Sequence, residues 1–171
     1  IKNFDQEDYV CNWGNFQTEH YRGTLPERAD RIITTGHPRF DIYRDYPDFY
    51  KREADVIRQR FGKMVLVNTN FACVVHNAGW KATFSKELGY VPDDPGRIDA
   101  MLAFWAHGNN VLTGMVQLVH QLARKFTDTT FVVRPHPSED ISFHHAAFHG
   151  VKNIHVEHSG AVGPWILASN A

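Results

Sequence analysis

The chain has 171 residues, 43% hydrophobic and 13% aromatic, which is enough for a packed core and argues against wholesale disorder. Its 18 basic and 19 acidic residues give a formal net charge of -1, so the electrostatic case for a nucleic-acid partner is absent. No apolar run approaches the roughly 18 residues of a membrane span. Two isolated cysteines, Cys11 and Cys73, fit a reduced cytosolic protein better than a disulfide framework.

Strand-like and helix-like segments alternate along the chain. Residues 8–13 form a short apolar run ending at Gly14, and residues 31–35 form a second, stopped by Gly36-His37-Pro38. Residues 47–61 have helical apolar spacing, with Gly62 as the stop signal. Residues 63–67 read as a buried strand that leaves into polar Asn68-Thr69-Asn70. A loop-rich stretch over 79–96 holds the breaker cluster Pro92-Asp93-Asp94-Pro95-Gly96. Apolar residues from Ile98 to Phe126 then keep a period near 3.6, as one helix or as two separated at Gly108-Asn109-Asn110. Further strands are predicted at 129–133 and 153–157, with helices at 139–148 and 163–167. Trp13, Trp105 and Trp165 are expected to be packing residues.

Strands separated by helices predict an α/β protein, a Rossmann-like parallel sheet with helices on both faces. Right-handed crossovers then bring the strand exits to one edge: Asn68-Thr69-Asn70, Arg134-Pro135-His136 and the segment after Glu157. Arg134 and His136, held beside two prolines, make a rigid cationic lip suited to a phosphate, or else form structural hydrogen bonds. Ser138 reads as the N-cap of the following helix, with Glu139 and Asp140 in its first turn. Asn68 and Asn70 either bind sugar hydroxyls or satisfy strand-end backbone. Arg39 contacts a phosphate or acceptor, or clamps Asp41; Asp41 and His76 are further cleft residues. Eleven histidines raise the question of metal, and His145 and His149 are spaced i, i+4. No HExxH or complete ligand set accompanies them, so no metal is expected.

Four segments occur in a telling order: Thr35-Gly-His-Pro-Arg-Phe-Asp41, Val65-Leu-Val-Asn-Thr-Asn-Phe71, Val133-Arg-Pro-His-Pro-Ser-Glu-Asp140 and Gly163-Pro-Trp-Ile-Leu-Ala-Ser169. Together, over roughly residues 8–170, the chain resembles bacterial surface carbohydrate biosynthesis proteins, relatives of GT-B glycosyltransferases and of CDP-glycerol glycerophosphotransferases. His37 departs from that family's usual G-N-P-R-F-D.

The resemblance implies most of the C-terminal half of a GT-B fold. Residues 1–35 would end the acceptor-side domain, 36–62 would form a hinge segment and helix, and 63–171 would be part of the donor-binding domain. It implies a transferase moving a sugar or polyol phosphate from a nucleotide-activated donor to a glycan or lipid-linked acceptor. Arg134, His136, Ser138, Asn68, Thr69 and Asn70 would hold the donor, without a cofactor. No catalytic base is assigned. The expected place is the cytoplasm or the inner face of the membrane, with peripheral contact at most. Relatives continue past the equivalent of Asn170 into a further donor-binding turn, so this chain is expected to be a fragment, inactive alone. A non-catalytic nucleotide- or carbohydrate-binding module and a sugar-nucleotide epimerase are the alternatives.

Overall fold

The computed structural model describes residues 8–46, 48–86 and 90–170. The chain divides into two compact units at Lys51/Arg52. Both are α/β, with small parallel sheets flanked by helices.

In the N-terminal unit, β1 (Val10–Asn12) pairs in parallel with β2 (Ile32–Thr34), Asn12 opposite Thr34. Helix α1 (Asn15–Thr24) and a 3-10 turn (Pro26–Arg31) make the crossover between them. The helix was not evident in the sequence because its residues are mostly polar and only Thr18 is buried. Packing comes from Ile32, wholly buried, and from the Arg22 guanidinium, which donates to the Ile32 carbonyl at 2.7 and 3.0 Å. Helix α2 (Pro38–Asp45) follows, with Pro38 at its first turn and the His37 ring as its cap. It too was missing from the expected elements. The expected helix from 47 begins instead at Lys51, and Pro47 lies outside the described residues. Trp13, expected in a core, is 62% exposed.

The C-terminal unit holds a three-stranded parallel sheet, β3 (Met64–Asn68), β4 (Thr130–Arg134) and β5 (Ile154–Val156), in the order β3-β4-β5. Alternation along central β4 divides the core. Val132 packs with Met64, Ala54, Phe61, Trp165 and Ala168, using α3 (Lys51–Phe61) and α7 (Val162–Ala168). Phe131 and Val133 pack with Val119, Ala123, Phe148 and Ile154, using α5 (Pro95–Lys125) and the end of α6 (Ile141–Ala147). Helices therefore cover both faces, as the sequence predicts.

The short helix α4 (Trp80–Thr83) and the Asp94 cap of α5 occupy the 79–96 stretch, of which 87–89 lie outside the described residues. Helix α5 runs unbroken through Gly108. A Cβ there would come within 3.1 Å of Val74 Cγ1 and 3.3 Å of Cys73 Sγ, so this glycine permits close approach rather than a break. Among the described residues, no helix is long and apolar enough to cross a membrane.

Candidate functional site at the carboxyl ends of β3, β4 and β5

All three strands of the C-terminal unit run the same way, with Asn68 in register with Arg134 and Val133 with Val156. Their exits therefore emerge together. The Thr69 amide donates to the Arg134 carbonyl at 3.1 Å, and the Glu157 amide to that of Val133 at 3.0 Å.

Behind the exits sits a residue whose role the sequence reading missed. Glu139 is 2% exposed, and its carboxylate ties three segments together. Thr69 Oγ1 donates to it at 2.9 Å, the His136 amide at 3.0 Å and the Phe71 amide also, while His144 Nε2 lies at 2.8 Å. Burial works to raise its pKa, but the bonds from His144, the His136 and Phe71 amides and Thr69 outweigh it and hold the carboxyl below its usual range. His144 is itself wholly buried, with Nδ1 unpartnered. Of the two neutral tautomers, the one with its proton on Nε2 donates to Glu139 and buries a bare lone pair at Nδ1 rather than an unpaired N–H.

This network corrects the expected cap. Residues 138–140 lie antiparallel to 75–77, through Asn77 N to Ser138 O at 2.9 Å and Asp140 N to Val75 O at 2.7 Å. Ser138 lies in a turn closed by the Glu139 amide on the His136 carbonyl at 2.8 Å, and Glu139 in the bridge to His76, so neither enters the helix. Asp140 caps α6 instead, accepting from the Ser142 amide at 2.9 Å and hydroxyl at 2.7 Å, bonds that hold its carboxyl low.

Arg134 is buried, and its guanidinium donates to the carbonyls of Ser159 at 2.8 Å and Gly160 at 2.9 Å while lying 4.7 Å over the Trp165 ring. Burial lowers its pKa and Glu157 acts against that shift. Its bonds shape the loop after β5. His136 is exposed, and its Nδ1 accepts from the Ser138 amide at 3.2 Å, which puts the proton of the neutral ring on Nε2. Asn68 and Asn70 are exposed; Thr69 is buried against Glu139. His76 Nδ1 accepts from the Ala78 amide at 3.0 Å.

Ser138 and His76 both line a cavity of about 250 Å³, whose other walls include Cys73, Met101 and Phe104. Burial pushes the Cys73 thiol up, so it is a poor nucleophile at neutral pH. The strand exits thus bring together Asn68, Thr69, Asn70, Arg134, His136, Ser138 and His76.

Arg39 and Asp41 belong to the N-terminal unit. There Asp41 pairs with Arg44 at 2.9 Å, in place of the expected clamp to Arg39. Among the described residues, no three His, Cys, Asp or Glu side chains form a metal ligand set; His145 and His149 line an open hollow beside β5.

Comparison with known proteins matches no family model, no curated protein and no solved structure.

Proposed function

We propose that this chain is the donor-binding part of a GT-B-like transferase that moves a sugar or polyol phosphate from a nucleotide-activated donor to a surface polysaccharide precursor. The reading rests on one observation. The exits of three parallel strands converge, with the His136 ring, Asn68 and Asn70 exposed on that edge and Ser138 beside them. Transfer of a sugar from an NDP-linked donor releases a nucleoside diphosphate, and transfer of a polyol phosphate from a CDP-polyol releases a nucleoside monophosphate; the charge developing on either leaving group needs hydrogen-bond donors. His136 Nε2–H and the Asn68 and Asn70 amides are donors of that kind. Arg134 acts one step back, by holding the Ser159 and Gly160 carbonyls.

A second reading, a binding module without turnover, has its own support. The carboxylates of these exits are all engaged: Glu139 in its network, Asp140 on Ser142, and Glu157 with Arg60 at 2.6 Å. None is placed as a general base.

A thermal-shift screen against CDP-, UDP-, GDP- and CMP-linked donors tests both. A donor present at about 100 times its dissociation constant stabilises the fold by about 2.7 kcal/mol. The expected result is a shift with one nucleotide class that His136→Ala removes. Turnover of that donor by the full-length protein would separate transferase from binding module. No shift with any donor overturns both.

A further inference from the structure

The N-terminal unit has a strand exit of its own, where polar groups are left over. Asn12 ends β1, is 5% exposed, and its Nδ2 has no hydrogen-bond partner. A buried amide left unpaired loses its bonds to water without replacement, so it needs an explanation. Its register partner Thr34 shows which way it faces. Thr34 Oγ1 contacts Thr18 Oγ1 at 2.7 Å and donates to Asn15 Oδ1 at 3.2 Å, so side chains on this face of the strand pair lie under the first turn of α1. Asn12 shares that face.

Helix α1 has ten residues, no side-chain cap at Gly14 and no acidic residue in its first turn. The first intrahelical bond runs from the Thr18 amide to the Gly14 carbonyl, which leaves the amides of 15–17 without helical acceptors. The exit of β2 adds His37. Its Nδ1 accepts from the Arg39 amide at 3.0 Å, so the neutral ring carries its proton on Nε2. The His37 ring meets the exposed Trp13 indole edge-on at 4.3 Å between centroids. The groups left over are donors, placed at the positive end of a helix dipole, with an aromatic surface alongside.

We propose that the β1–α1 junction is an oxyanion site that takes a phosphoryl group on the Asn12 amide, the first-turn N–H groups of α1 and the His37 ring, with Trp13 against the organic part of a phosphate ester. The site lies wholly within the N-terminal unit.

The test uses a built-in competitor. Gly14 has extended backbone at φ -161°, and a Cβ there meets nothing within 4 Å, so Gly14→Asp fits and supplies its own carboxylate to the same N–H groups. Inorganic phosphate is titrated into the labelled protein at constant ionic strength, and amide shifts are read by NMR. The expected result is saturable shifts at the amides of 15–17, the Asn12 side chain and the Trp13 indole, weakened at least tenfold in Gly14→Asp while the remaining spectrum is unchanged. Shifts that fail to saturate, or that persist undiminished in Gly14→Asp, overturn the proposal. Glucose 1-phosphate distinguishes the sources. Tighter binding than phosphate, with a larger Trp13 shift, assigns an ester; equal affinity assigns free phosphate; weaker binding overturns the part given to Trp13.

Discussion

The two units end their parallel strands in opposite ways. At the exits of β3 and β4, one buried carboxylate, Glu139, collects Thr69, the His136 and Phe71 amides and His144 Nε2, and the buried atom left over is the ring nitrogen His144 Nδ1. At the exits of β1 and β2, the buried Asn12 amide is unpartnered and α1 begins without a side-chain cap. One edge is held in shape before any ligand arrives. The other keeps donors that only a ligand, or a substitution, would satisfy. Similar backbone topology therefore says little about where binding occurs; the fate of buried polar groups says more.

Substitutions at the two exits should move stability in opposite directions. Glu139→Ala is expected to have the largest effect, a loss of about 3 kcal/mol or more in urea unfolding, because it strands several buried donors at once, each at about 1–3 kcal/mol. A loss under 1 kcal/mol would mean the network is not the clamp described. Asn12→Leu should instead stabilise, by about 1 kcal/mol, since it removes an unpaired buried amide and fills similar space. Destabilisation there would reveal a partner for Asn12 and dissolve the contrast.

The smallest effect is one of pH. The folded Glu139 carboxyl titrates below its unfolded value of about 4.3. Its stabilisation is therefore complete above that pH and is lost as pH falls through the lower folded value. The acid limb of the stability curve should flatten in Glu139→Gln and stay unchanged in Asn12→Leu.

Much of this architecture is legible in the sequence, for identifiable reasons. β4 is buried from Phe131 to Arg134, and its Phe131-Val132-Val133 reads as a continuous apolar run, while α5 carries a long 3.6-residue period. Helices α1 and α2 escaped because between them they bury only Thr18, so no apolar stripe marks them. The site was half visible. Arg134-Pro135-His136 points to the β4 exit, but Ser138-Glu139-Asp140 looks like a helix start. Only the pairing of 138–140 with 75–77, between residues far apart in the chain, turns Glu139 inward. A local pattern cannot carry that information.

The Thr69–Glu139 bond joins residues 70 positions apart, with all of α5 inside the loop it closes. The β3–β4 pairing closes nearly the same loop, with Met64 opposite Thr130, so the strand register and the buried carboxylate share one entropic cost of closure. Glu139 thus acts as a tie across the mouth of that loop, holding together strand exits that the intervening chain alone would leave free to part.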